Sequence, residues 1–385
     1  MTTYTEKKLF TPGPLCVPVE VKGAMGVDLG SRDHQFISCV AQVRAGLLKV
    51  AQVSAPEYTC VPLQGSGTYC VEAVVNTASP RDNTAKVLVL VNGAYGRRIV
   101  QMCEKATIPV TVLEGPEHLP MSLLEVEAAL QKKDDSDGVG GGWSMVCIVH
   151  CETSSGVINP ICEVGQLVRR YCPGASYMVD AMSSFGAVEV DMVACGIDFL
   201  VSSANKCLEG VPGFAYAICR TSRLLSCKGN CRVLSLDLVE QHVGLEVNGQ
   251  FRFTPPTHAL LAFNVALTRF WHQGGVQGRA HRYKQNNEIL VSGMEGLGYR
   301  RLVQPPHASY IITAFHFPKH EAFSFTKLYN GLAERGLVIY PGKVTSAECF
   351  RIGNIGDLHT HDINTLLQAV KEVMVQMGLP VPLNS

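Results

Sequence analysis

Short apolar runs rich in valine and isoleucine recur along this 385-residue chain: Val87 to Val91, Met145 to Val149, Tyr177 to Val179, Phe199 to Val201 and Phe214 to Ile218. A sheet covered by helices on both faces has no wet side to alternate toward, so such runs predict buried parallel strands. Between them, Tyr69 to Thr77, Ser122 to Lys132 and Ile161 to Tyr171 carry helical patterns with turn residues at their margins. Strand, crossover and strand in alternation predict an α/β fold with a mostly parallel central sheet. A further helical pattern from His258 to Trp271 stops at Gly274-Gly275. Beyond it the strands become fewer and wider apart (Ile311 to Phe317, Leu337 to Tyr340), and Asp362 starts a terminal helix. That change predicts a smaller α+β domain from about residue 277.

Composition narrows the partners. The chain is 46% hydrophobic and 17% charged, with 33 Lys plus Arg against 33 Asp plus Glu, which argues against a broad surface for nucleic acid or anionic lipid. The 15 cysteines are scattered, odd in number and often inside apolar runs, as in Met145-Val-Cys147-Ile-Val149 and Ala217-Ile-Cys219. They read as buried reduced thiols. Cys147 and Cys151 are four apart, as are Cys227 and Cys231, yet no matching Cys/His pair follows at zinc-site spacing, so no metal is expected. No apolar signal core opens the chain and no run of about 18 apolar residues occurs, so a cytoplasmic or organelle-matrix protein without a membrane partner is expected. The stretch from Asp134 to Gly142, rich in Asp and Gly, suits a surface loop.

The chemistry concentrates at strand ends. Lys206 stands in the Gly-rich loop Ser202-Ser-Ala-Asn-Lys206-Cys-Leu-Glu-Gly-Val-Pro-Gly-Phe214, where α/β sheets open a ligand crevice. Taken alone it is equally a solvated lysine. Asp180 ends the run Tyr177-Met-Val-Asp180, and small residues follow it. An aldehyde cofactor needs a lysine amine, and a pyridine ring needs a carboxylate to keep its nitrogen protonated; these two strand ends supply both. Asp180 would otherwise be a turn or helix cap. Gln64-Gly-Ser66-Gly67-Thr68 opens a helix whose free N–H groups, hydroxyls and dipole suit a phosphate. The third glycine of a dinucleotide fingerprint is Cys70 here, so a monophosphate fits better. Tyr95, in Asn92-Gly-Ala-Tyr95-Gly, is placed to stack on a planar ring or to be a turn aromatic. Thr153, after another strand, could bond a phenolic oxygen or start a helix. Arg351, among apolar residues and glycines in Cys349-Phe-Arg351-Ile-Gly-Asn-Ile-Gly356, suits a carboxylate ligand or a structural ion pair.

Taken in order, these motifs, together with Thr11-Pro-Gly13-Pro-Leu15, Gly210-Val-Pro-Gly-Phe214, Thr254-Pro-Pro-Thr-His258 and Tyr340-Pro-Gly-Lys343, resemble the fold-type I pyridoxal-phosphate (PLP) aminotransferases. The group is that of the alanine–glyoxylate enzymes, and the resemblance is closest to its 2-aminoethylphosphonate–pyruvate branch. It implies pyridoxal 5'-phosphate as cofactor, amine and 2-oxo acid substrates, and a homodimer with shared active sites. It further implies that Lys206 is the Schiff-base lysine and that Asp180 pairs with the pyridine nitrogen. Tyr95 would stack on the ring, Thr153 would touch its oxygen, and Ser66, Gly67, Thr68 and Ser203 would hold the cofactor. Thr254 would complete the phosphate cup of the neighbouring subunit. Arg351 and Gly13 would lie at the substrate, and Arg32, in Asp28-Leu-Gly-Ser-Arg32-Asp33, would contact a phosphonate unless it forms a surface salt bridge. Alanine–glyoxylate or serine–pyruvate transfer, or a lyase acting on an aminophosphonate, would use the same scaffold. The expected division is an N-terminal segment over 1–20 near the active site, a large cofactor domain over 21–276 and a small domain over 277–385.

Overall fold

The computed structural model describes residues 4–132 and 142–383, so the stretch read as a loop from Asp134 lies outside the described residues up to Gly142. The main sheet has seven strands. These are β1 (Tyr58–Gln64), β2 (Lys86–Val91), β3 (Val110–Glu114), β4 (Trp143–Val149), β5 (Ser176–Asp180), β6 (Phe199–Ser203) and β7 (Phe214–Arg220). They lie in the order β1-β7-β6-β5-β4-β2-β3. From β3 through β6 every pairing is parallel, as the apolar runs predict.

Strand β7 corrects the expectation, because it runs antiparallel to both β6 and β1. Residues 204–213 between β6 and β7 hold no helix, and so short a link returns the chain alongside the strand it has just left. Strands β1 and β3 are absent from the sequence pattern for different reasons. Pro62 interrupts β1, which is tolerable because β1 is an edge strand. Strand β3 is the opposite edge and only half-buried, so it lacks the continuous apolar signal.

Helices α1 (His34–Val50), α2 (Gly67–Ala78), α3 (Ala94–Lys105), α4 (Leu123–Gln131) and α5 (Ile161–Tyr171) intersperse these strands. Asp33 caps α1 by accepting from the Gln35 N–H at 2.7 Å, and Ser122 caps α4 from Glu125. Helix α6 (Thr257–His272) ends at the predicted glycine pair, but a 22-residue helix, α7 (Gly275–Gly296), starts there at once. Its buried face includes Arg279, Tyr283 and Asn286, and those polar residues hide the helical period.

A second, three-stranded antiparallel sheet joins β8 (Ile312–His316), β9 (Tyr340–Pro341) and β10 (Cys349–Gly353) in the order β8-β10-β9. Phe315, Phe350 and Ile352 on it pack with Leu366 and Val370 of the terminal helix α8 (Thr360–Gln376). Helix α8 begins two residues earlier than expected, capped at His359, and Asp362 lies in its first turn, accepting from the His359 N–H at 2.9 Å. The chain's N-terminal stretch belongs to this half, since Lys8 and Leu9 pair in parallel with Leu337 and Val338. The reading of all cysteines as reduced also needs correction: Cys162 on α5 and Cys195 are joined in a disulfide. The pair is 33 residues apart, and only the packing of α5 against the segment before β6 brings it together. Among the described residues no helix is long and apolar enough to cross a membrane.

Candidate active site

Strands β1, β2, β4, β5 and β6 end on one edge of the main sheet, where open α/β sheets bind ligands. The segments that leave them enclose a cavity of about 210 Å³. Ser66, Gly67 and Thr68 line it from the start of α2, Tyr95 from the first turn of α3, and Thr153 from the turn after β4. Asp180 closes β5 into it, and Ser203 and Lys206 enter from the end of β6. Eight residues that the sequence proposed as cofactor ligands therefore converge on one space.

Lys206 is half-buried at the cavity. Its amine donates to the Pro12 carbonyl oxygen at 2.5 Å, and Gly13 lies flat against it. A Cβ at Gly13 would come within 2.4 Å of the Lys206 Nζ, and φ of +128° is itself a glycine conformation, so this motif residue is required by contact with the lysine. Burial pulls the amine below the ordinary lysine range, although Tyr95, Cys207 and Asp180 pull the other way. The Asp180 carboxyl is pushed up to about 6 by burial, with Glu152 adding to the rise, while the Met182 N–H, Lys206 and Arg98 hold it down. Its Oδ1 accepts from that N–H at 2.9 Å.

Two residues outside the sequence reading shape the site. Glu152 is buried beneath the start of α3, where its carboxylate accepts from the N–H groups of Tyr95 (3.1 Å) and Gly96 (3.3 Å) and from the Ser154 hydroxyl (2.7 Å). It thus caps the helix that carries Tyr95 and complements its dipole. Arg98 sits one turn after Tyr95, lines the cavity and donates to the Thr68 hydroxyl at 3.3 Å. The i,i+3 spacing from Tyr95 was the signal available for Arg98.

Arg351 does not line the cavity itself but adjoins its wall: buried in the middle of β10, it donates to the carbonyls of Thr153, a lining residue (2.8 Å), and Pro341 (2.9 Å). No carboxylate pairs with it among the described residues, so the competing reading of a structural ion pair does not hold. Burial would raise the Tyr95 phenol, but Lys343, Lys206, the Thr153 hydroxyl and Arg351 outweigh it and hold it below its usual range. Thr254 and Arg32 are not in this cavity. Thr254 is exposed on the segment before α6, and Arg32 is exposed in the turn before α1, with no ion pair among the described residues.

The residues present fit PLP. The first-turn N–H groups of α2 have no capping side chain, since Ser66 makes no such bond, and they face the cavity as an anion cradle. An amine and a buried carboxyl at the ends of two neighbouring strands are the groups that such a cofactor requires for covalent attachment and for its ring nitrogen.

Comparison with known proteins gives a consistent picture. The aminotransferase class-V family profile matches residues 20–356. A 2-aminoethylphosphonate–pyruvate transaminase of Bacillus cereus is 46% identical over 363 residues, covering 94% of this chain and 96% of that protein. One from Bacillus anthracis is 45% identical over 368 residues, covering 95% and 98%. Among solved structures, the alanine–glyoxylate aminotransferase of Nostoc sp. superposes with a TM-score of 0.84 at 25% identity, covering 97% of this chain and 96% of that one. The ureidoglycine–glyoxylate aminotransferase of Bacillus subtilis gives 0.86 at 20% identity, covering 98% and 95%.

Proposed function

Because the chain belongs to the class-V aminotransferases, we propose that it moves the amino group of 2-aminoethylphosphonate to pyruvate, giving phosphonoacetaldehyde and alanine. The observation that carries the reading is the near-full-length identity to transaminases of that name, with Lys206, Asp180 and the α2 cradle meeting in one cavity. The enzyme depends on PLP. When bound, that group supplies an electron sink for the charge left on a substrate carbon after proton removal.

The chain's own residues do the rest. Lys206 would hold the cofactor covalently, Asp180 its ring nitrogen, and Ser66, Gly67 and Thr68 its phosphate, with Tyr95 against the ring, Thr153 at its oxygen and Ser203 also in contact with the cofactor. The Lys206 amine would also be the base for the proton on the substrate carbon that bears the nitrogen. It must be neutral to do so, and burial favours that state. Arg351 orients the substrate's anionic group from the rim, and Gly13 keeps the path to the lysine clear of side chain. Amine and 2-oxo acid occupy the site in turn, in ping-pong order.

The reading includes a homodimer. Thr254 and Arg32, exposed and outside their own chain's cavity, would serve the site of the other subunit, Thr254 at the phosphate and Arg32 at the phosphonate. The test of substrate is spectral. Cofactor-loaded enzyme is mixed separately with 2-aminoethylphosphonate, alanine, serine and a hydroxylated aminophosphonate. Loss of the resting cofactor absorbance with 2-aminoethylphosphonate and alanine is expected, whereas loss with alanine or serine alone would refute the phosphonate assignment.

A further inference from the structure

The β9–β10 hairpin brings a second cation to the rim. Tyr340 pairs with Arg351 across it, and residues 342–348 form its connection. Gly342 lets the two arms close, because a Cβ there would meet the Cys349 carbonyl oxygen at 2.3 Å. On the far side, Glu117 grips the connection by accepting from the N–H groups of Thr345 (2.9 Å) and Ser346 (3.0 Å) and from the Thr345 hydroxyl (3.2 Å). Between these two fixed points Lys343 is half-buried, with its Nζ 4.2 Å from the centroid of the Tyr95 ring.

Lys343 has no carboxylate partner among the described residues, and neither has Arg351. Partly desolvated cations are costly unless something balances them. Two of them beside one tyrosine, with no acid between, form a site whose charge a ligand must complete. A carboxylate brings one negative charge, while a phosphonate, like a phosphate monoester, approaches two near neutral pH.

We propose that Lys343 is a specificity-determining residue: with Arg351, and beside the Arg32 that the other subunit would bring, it forms the binding place for the doubly charged phosphonate of the amine substrate, whereas Arg351 serves the carboxylate of the 2-oxo acid without it. The inference rests on the substrate class proposed above. It explains how one rim accepts anions of different charge in alternate half-reactions, with one cation common to both and one that counts only for the dianion.

Ethylphosphonate and propionate share a two-carbon body, lack an amine and differ in the anionic head, so they probe the rim without reaction. Calorimetric titration of cofactor-loaded wild type and Lys343→Gln with each is the test. The variant is expected to weaken ethylphosphonate about tenfold more than propionate, the effect of losing one close opposite charge in a partly screened setting. Lys343→Arg should restore most of the preference. Equal losses for both anions, or no loss for either, overturn the inference; each comparison is internal to one protein, so a general loosening of the fold cannot imitate the expected result. Failure of the underlying substrate reading registers separately, in wild type alone, as no spectral change with 2-aminoethylphosphonate.

Discussion

Asp180 ends a strand whose neighbours on both sides are buried, so its carboxyl is desolvated and held at about 6 instead of the ordinary 3.8. A pKa raised by folding means that the unfolded chain gives up this proton first as pH rises from about 4. The stability contribution is therefore present below that range and lost as pH climbs through about 6. Asparagine keeps the shape without the charge. Cofactor-free Asp180→Asn should be more stable than cofactor-free wild type at pH 8, by up to about 3 kcal/mol, with the gap closing toward pH 4. Denaturant unfolding at the two pH values measures this, and identical curves at pH 8 would show that the carboxyl is not strained by burial. Lys206 and Asp180 were legible in the sequence because chemistry-bearing residues at the ends of apolar strands stand out from their surroundings. Glu152 was not, although it adjoins Thr153, because nothing in the sequence says that α3 begins above it.

The loop that carries Lys206 is held by one carboxylate. Glu209, at φ +58°, donates its N–H to the Lys206 carbonyl at 2.8 Å and turns its side chain into α7. There it accepts from the Tyr283 hydroxyl (2.8 Å) and pairs with Arg279 (3.0 Å) and with Arg282. Tyr283 in turn accepts from the Gly356 N–H at 3.0 Å, so the helix fastens both the lysine loop and the segment after β10. Arg279 and Glu209 are each only 1% exposed, and removing one partner strands the other. Glu209→Ala should lower stability by about 3–5 kcal/mol, read from the denaturant midpoint. A loss below about 1 kcal/mol would mean that the arginines find water or other partners instead. None of this was visible beforehand, since a helix that buries Arg, Tyr and Asn has no apolar stripe to read.

For the molecule as a whole, the exposed apolar side chains Val19 (76%), Val27 (53%), Val247 (76%) and Phe253 (40%) lie in two segments that flank α6. The Asp28–His258 contact at 2.9 Å ties the first segment to that helix, and Thr254 and Arg32 belong to the same two segments. An apolar surface beside residues that have no role in their own cavity supports the proposed dimer. Sedimentation equilibrium at micromolar concentration should give about twice the chain mass of 41.7 kDa, and a species at the single-chain mass would contradict shared sites. What the sequence determined by itself was local: which runs are buried strands, which turns start helices, and that a lysine, an acid and a phosphate-type loop sit at strand ends. Those follow from periodicity and from the few residue types able to do the chemistry. Only the tertiary structure decided the reversal of β7, the start of α7 at the glycine pair, the Cys162–Cys195 bond, the Glu209 clamp and the meeting of Lys343 with Tyr95. Apart from the helix, each joins segments distant in the chain or fixes their relative direction, and such contacts are set by how the layers pack; the helix was hidden because its buried face is polar.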